Sequence, residues 1–334
     1  MSLPTLSLAL LDAIEEPALV VEQERVAAAN PPALAILGER IVGRDIRFVL
    51  RHPDALDLIL DAAGGECELS ALGGHERPWT LTVRPLPEST QLVRLIDRSA
   101  AAAAERMRVD FVANASHELR TPLTSMIGYA ETLAEEVPID DELRARFGTM
   151  IHGEARRMLR IIEDLMSLSL IEADRFVPPA DRLALDEVAR IAVDNGRALA
   201  AQRGCSLTSA IAPAGPIAGD FGQLLQLTDN LIANAIRYGC GAHGGQVTIA
   251  TTIEDSRAVL RVTDQGEGIA PEHLSRITER FYRVDAARSR DSGGTGLGLS
   301  ITKHIAERHL ARLEIRSTVG VGTEVTVAFP LAPA

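Results

Sequence analysis

Cysteine is nearly missing from this chain: its 334 residues hold three, Cys67, Cys205 and Cys240. Odd in number and far apart, they are read as forming neither a disulfide framework nor a metal site, which points to a reducing cytoplasm. Long apolar runs are missing too. None approaches the roughly 18 residues that span a bilayer. The opening MSLPTLSLALLDAIEEP has no basic start and ends in acids, so it is not read as a signal peptide. A soluble, cytoplasmic chain is expected, membrane-associated only if a longer parent carries transmembrane helices upstream. Basic excess is also lacking. A formal charge of -12 repels a phosphate backbone and argues against a direct nucleic-acid partner.

What is present is a core-forming composition, 46% hydrophobic, on a length that suits about two or three domains. Residues 1–97 read as a small α/β unit. PALVVE and RVAAAN suggest a strand pair, PPALAILG a short helix, and GRDIRFVLRHPDALDLILDAA further helical turns. CELSAL, WTLTVRPLP and QLVRLID then read as three more strands. With Asn30 after the second strand, Gly38 and Gly43 as punctuation, and Asp97-Arg98-Ser99 at the exit, this pattern resembles a PAS domain.

From residue 98 to 176 the pattern is helical. Val112, Ala115, Leu119, Leu123, Met126, Ala130 and Leu133 recur at steps of three and four, and Pro138 breaks the run. A second helix carries Phe147, Ile151, Ala155, Met158, Ile162, Leu165 and Leu168 on one face. Neither helix can bury its seam alone, so a dimeric four-helix bundle of helical hairpins is the simplest solution. VPPAD at 177–181 is a linker. Residues 182–334 alternate helix and strand signals and predict an α/β sandwich, with helices on one face of a mixed sheet. The whole is therefore a multidomain α+β protein.

Three constellations in the last domain carry chemistry. In QLLQLTDNLIANAIRY, Asn230 and Asn234 are four apart and share a helical face that Tyr238 extends. An amide oxygen is a hard ligand suited to magnesium, although the same pair also reads as solvated or capping asparagines. VTDQGEGI ends a strand on Asp264, which can accept a hydrogen bond from an exocyclic amine such as adenine's, while Gly266 and Gly268 let backbone approach a ligand; turns produce this pattern as well. GGTGLGLSI puts Gly294, Gly296 and Gly298 before a helix start, where freed N–H groups can point at phosphate oxygens. It lacks the lysine of the G-x-x-x-x-G-K-[ST] loop.

In this order the three resemble the ATP-binding domain of the histidine kinases, shared more distantly with gyrase-type ATPases, a chaperone and mismatch-repair proteins. The resemblance implies an N box over Asn230, Asn234, Arg237 and Tyr238, with Asn234 on Mg2+. It implies a first glycine box over Asp264, Gly266 and Gly268, and a second over Gly294, Thr295, Gly296, Leu297 and Gly298. ERFYRVD at 279–285 matches the phenylalanine box of the ATP lid, and GVGTEVTVAFP at 320–330 the closing strand. Two places depart from the family: Thr278 stands where a phenylalanine is usual, and Leu310-Ala311 where a glycine pair is.

SHELRTPL at 116–123 resembles the H box that separates histidine kinases from other ATPases of this fold. His117 is two residues from Ala115 and from Leu119 on the seam, so it points away from the apolar core. An imidazole near its unperturbed pKa of about 6.5 is substantially neutral and keeps a nucleophilic nitrogen. Glu118 can hold the other ring N–H and serve as general base. Pro122 removes a helix hydrogen bond and should bend the helix there. By resemblance, Thr121 positions water for dephosphorylating a partner. The implied protein is a homodimeric sensor kinase that moves the γ-phosphoryl of Mg-ATP to His117 and on to a response-regulator aspartate. RHPDAL in the first domain is similar to the kinases of phosphate regulons. A non-catalytic scaffold and a gyrase- or chaperone-type ATPase are the alternatives; the intact boxes oppose the first and SHELRTP the second.

Overall fold

The computed structural model describes the chain except residues 1–4, 62–63, 73–75, 88, 136–138, 175, 241–243, 285–293 and 333–334. The break expected at Pro138 lies outside the described residues. Contacts divide the chain into two units, Met1–Val112 and Ala113–Ala334.

In the first unit, helix α1 (Thr5–Asp12) precedes β1 (Ala18–Glu22) and β2 (Arg25–Ala29). Short helices α2 (Pro31–Leu37), α3 (Ile46–Val49) and α4 (Pro53–Leu60) follow, then β3 (Gly65–Leu69), β4 (Trp79–Leu86) and β5 (Thr90–Asp97). The strands form one antiparallel sheet in the order β2-β1-β5-β4-β3. Leu19, Val83, Val93 and Leu95 face the short helices, where Ile46, Leu50 and Ile59 close the core. Asn30 explains the turn after β2. Fully buried, its Oδ1 accepts from the amides of Ala18 (2.9 Å) and Ala33 (3.0 Å), and its Nδ2 donates to the carbonyls of Ile14 (2.9 Å) and Glu16 (2.8 Å). All four amide valences are used, so this polar group costs little to bury.

Helix α5 (Ser99–Ala134) leads into the second unit and pairs with α6 (Asp141–Ala173) as a hairpin, with Tyr129 stacked on Phe147 at 5.6 Å. Asp140 caps α6 by accepting from the Leu143 amide at 2.6 Å. Pro122 lies inside α5, as expected. The hairpin has two apolar faces. Leu123, Ile127, Leu159, Ile162, Met166 and Leu170 are exposed, whereas Ile161, Leu168 and Ile171 are buried on a second stripe. Leu168, expected on the bundle-forming seam with Ile162, belongs to the buried stripe: the helix packs there against its own chain.

What covers that stripe is the α/β body. After β6 (Asp181–Ala184) come α7 (Leu185–Gln202), β7 (Cys205–Ile211), β8 (Pro216–Gly219), α8 (Phe221–Gly239), β9 (Gly245–Glu254), β10 (Arg257–Asp264) and α9 (Pro271–Leu274). Then α10 (Gly298–Arg308), β11 (Arg312–Thr318) and β12 (Gly322–Pro330) complete it. The sheet order is β11-β12-β10-β9-β7, antiparallel except for the parallel β7–β9 pair, and thus mixed as expected. The β6–β8 pair, a separate two-stranded sheet, has no counterpart in the sequence reading; four-residue strands carry too little periodicity to stand out.

The reading of the cysteines is corrected here. Cys205 and Cys240, 35 residues apart in sequence, are disulfide-bonded, and Cys67 alone is free. Parallel pairing sets Cys205 opposite Gly245 on β9, and Cys240, five residues before Gly245, caps the end of α8. Sequence distance was the wrong measure, because the sheet register brings these two loops to one edge.

His309 ties α10 to α8. Buried to 3% exposure, it accepts from the Asp220 amide at Nε2 (3.0 Å), and its Nδ1 lies 2.8 Å from the Ile305 carbonyl oxygen. This pattern needs the neutral ring, and burial holds its pKa below the ordinary histidine value. A depressed folded-state pKa contributes stability above the unfolded value of about 6.5, lost as pH falls toward the folded one. The unit's unfolding free energy is therefore expected to drop on acidification below about pH 6.5, and His309→Asn to flatten that limb. Chemical denaturation at a series of pH values checks it.

Candidate nucleotide and phosphoacceptor site

Helix α8 starts at Asp220, whose Oδ1 accepts from the Gln223 amide at 3.1 Å, and its apolar stripe of Leu224, Leu227, Leu231, Ile232 and Ile236 is buried. The opposite face then carries Asn230 and Asn234. Helix α10 begins over that face. Asn230 Nδ2 donates to the Gly298 carbonyl at 3.4 Å, and a Cβ on Gly298 would meet the two amides at 3.6–3.8 Å. Asn234 Oδ1 accepts from Arg237 at 3.2 Å. Burial holds the Arg237 guanidinium below its ordinary range, so a poorly solvated cation stands beside the asparagine. An anion there would be welcome.

Asp264 ends β10, as the sequence reading placed it. Its Oδ1 accepts from the amides of Gly266 (2.9 Å) and Thr323 (3.2 Å), which leaves Oδ2 for a ligand's N–H. Burial raises its pKa, and the two backbone bonds oppose that shift. Gly266 is required by contact: a Cβ there would lie 2.3 Å from the Tyr238 carbonyl oxygen and 2.6 Å from the Gly239 Cα. The end of α8 and the first glycine box are therefore pressed together. Gly268 turns away at φ 68.

In the second glycine box, Gly294 lies near the Tyr238 hydroxyl, and Leu297 is fully buried as the cap of α10. Gly296 has φ 74 and its carbonyl accepts from the Phe281 amide at 2.9 Å, which fastens the phenylalanine box to the glycine box. Asp285 and Gly293 lie outside the described residues. Thr278, the departure from the family, lines a cavity of about 310 Å3 with Leu274, Lys303, Leu313 and Ile315. Leu310 takes φ 53, a left-handed conformation that favours the family's glycine.

His117 is exposed on α5, and Thr121 Oγ1 donates to the His117 carbonyl at 3.2 Å, one turn on. Glu118 differs from expectation. Rather than the imidazole, its Oε2 takes Arg157 from α6 at 3.2 Å and Arg283 of the phenylalanine box at 3.1 Å. Arg283 also donates to the Gly294 carbonyl, so one arginine joins the H box to the second glycine box.

Residues 107–174 match the family described as His Kinase A (phospho-acceptor) domain, and residues 219–333 the histidine kinase-, DNA gyrase B- and HSP90-like ATPases. The chain belongs to the sensor histidine kinases. Relatives in this family include the phosphate regulon sensor protein PhoR of Pseudomonas aeruginosa, 40% identical over 247 residues, which are 74% of this chain and 54% of that one. The sensor-like histidine kinase SenX3 of Mycolicibacterium smegmatis is 36% identical, over 72% of this chain and 62% of its own. The chain thus spans between half and two thirds of these relatives' length. Full-length ShkA in complex with AMPPNP has a TM-score of 0.50 at 24% identity, covering 69% of this chain and 46% of that one, a likeness of fold. No described helix is long and apolar enough to cross a membrane.

Several residues of this site escaped the sequence reading. Asp164 on α6 accepts from Thr295 Oγ1 at 2.7 Å, and burial raises its pKa against the pull of that bond. Glu172 pairs with Arg280, and Ser167 donates to Gln226 at 2.8 Å. Together with Arg283, they fasten the hairpin to the ATPase fold, while Arg157 ties α6 to α5 within the hairpin. No local spacing signals them, since each pairs with a residue at least 39 positions away.

Proposed function

We propose that this chain is an ATP-dependent protein-histidine kinase with three parts: a PAS-type sensor over 1–97, a dimerising phosphoacceptor hairpin over 98–176, and an ATP-binding domain over 182–334. The observation that carries the reading is the meeting of Asn230, Asn234, Gly298 and Thr295 in one unit with an exposed His117. Asp264 Oδ2 takes the adenine amine, and the N–H groups around Gly296 and Leu297 take phosphate oxygens. Neutral amide oxygens beside a phosphate site suit Mg2+, which keeps few protein ligands; Asn234 would hold it, exchanging the Arg237 donor for the ion while Arg237 turns to phosphate. Magnesium supplies charge neutralisation on the phosphates.

A ring nitrogen of His117 attacks the γ-phosphorus as the bond to the bridging oxygen breaks and ADP leaves. Positioning and electrostatics carry most of such a transfer. Glu118 serves as base only once its arginines let go, so its ion pairs mark a resting arrangement. The exposed seam through Leu123, Ile127 and Ile162 supports a homodimeric bundle, and the phosphoryl group passes on to a response-regulator aspartate. The sheet order of the first unit, with helices inserted after β2, supports the PAS reading, and the PhoR likeness supports phosphate-regulon signalling. Purified protein incubated with labelled ATP and Mg2+ is expected to acquire an acid-labile, base-stable label that moves to a cognate regulator. Failure to label under any redox or salt condition would overturn the proposal.

Thr121 is expected to separate the two directions of this chemistry. Its hydroxyl offers no attacking nitrogen to ATP, but it can orient water toward an acyl phosphate. Thr121→Ala should keep autophosphorylation within about twofold and extend the phospho-regulator half-life by about 10-fold or more. Regulator decay followed with ADP present checks it; parallel loss of both activities would indicate damage near Pro122 instead.

A further inference from the structure

The disulfide lies against the nucleotide site rather than at a remote edge. Cys240 immediately follows Tyr238 and Gly239, the end of the helix that carries the asparagines. A Cβ on Gly239 would stand 2.4 Å from the Asp264 Cβ, and one on Gly266 2.3 Å from the Tyr238 carbonyl oxygen. On the other side, a Cβ on Gly245 would meet the Cys240 Cα at 3.0 Å, and Gly245 pairs with Cys205 across the sheet. The chain of contacts therefore runs from Cys205 through Cys240 and Gly239 to Asp264 without slack. Close-packed interiors transmit such displacements instead of absorbing them. Cys205 is partly exposed and Cys240 is 6% exposed.

We propose that Cys205 and Cys240 form a reversible disulfide that sets the affinity of the adenine-binding end of the site, closing under a peroxide and opening under a dithiol. This rests on the nucleotide-binding reading of Asp264 and adds a regulation to it. The Cys205 thiolate, the more accessible, attacks a peroxide oxygen; the S–O bond forms, the O–O bond breaks and hydroxide leaves. The Cys240 thiolate then attacks that sulfur, the S–S bond forms, and the oxygen departs as water. Two thiols and one hydrogen peroxide give one disulfide and two waters. A dithiol reverses the step by exchange, becoming a disulfide itself. The closed bond anchors the last turn of α8, holding Gly239 and Asp264 in the geometry that receives the base, so less ordering is left for binding.

The test uses the full chain with its three cysteines. Maleimide labelling in denaturant should count one free thiol, Cys67, after hydrogen peroxide, and three after dithiothreitol. Mg-ATP affinity by calorimetry should fall about fivefold or more on reduction. Cys205→Ser, at the more exposed position, should bind as the reduced wild type does and lose the redox response; Cys240→Ser repeats the test from the other side. Three free thiols after peroxide would overturn the proposal. So would equal affinity in the two states while the thiol count changes, with the nucleotide-binding reading left standing. Absence of nucleotide binding in both states would overturn that reading and the regulation together.

Discussion

Replacing His117 by Gln is expected to remove the acid-labile, base-stable label completely, a loss of at least about 1000-fold in autophosphorylation, as removal of a nucleophile does elsewhere. Glutamine keeps the length and polarity of an exposed position, so the fold should be unaffected. Its amide nitrogen is not nucleophilic, because its lone pair is delocalised into the carbonyl. Mg-ATP affinity should therefore be unchanged, since no nucleotide contact is assigned to His117. The measurement is a gel assay with labelled ATP, beside nucleotide binding by calorimetry. Label persisting at full yield would place the phosphoacceptor elsewhere.

Asn234→Ala carries the second large effect. Asn234 stands on α8 with its Oδ1 on Arg237 and its amide near Gly298, so it links the helix face to the start of α10. Alanine keeps the helix, being its best former, and deletes the carboxamide with its ligand oxygen. Autophosphorylation should fall by more than the roughly 10- to 100-fold typical of residues one step removed from a metal. The magnesium concentration for half-maximal rate should rise while the dimer persists on size-exclusion chromatography. An unchanged magnesium dependence would mean that the ion is held by other groups.

The effects separate because the site is assembled from distant segments. In the proposed site the nucleotide-binding groups come from α8, the β10 end and the start of α10, while the proposed acceptor His117 stands on α5. Arg157 and Arg283 hold Glu118 and Asp164 holds Thr295, so the present arrangement keeps the hairpin fastened to the ATPase fold. Transfer requires the nucleotide end to reach His117, and these ion pairs must then exchange partners. Their exchange is favourable only if the phosphates supply charge that the arginines prefer to a carboxylate.

Sequence by itself determined what depends on local spacing. A step of four sets Asn230 and Asn234 on one face; a strand-ending Asp264 before Gly266 makes a turn that leaves one carboxylate oxygen open; the neighbours of His117 direct it away from the seam. Each follows from helix or strand periodicity and from the conformational range of glycine, so each was legible before any fold was known. Asn30 was marked as the residue after the second strand, although its four hydrogen bonds were not legible. Tertiary structure alone decided the rest: that Cys205 meets Cys240, that Glu118 turns to Arg157 and Arg283, and that Leu168 faces its own chain rather than the bundle-forming seam. Those pairings follow from sheet register and from the docking of α6 on α10. Long-range packing of this kind is selected by the summed burial of many apolar side chains, and no single local pattern records it.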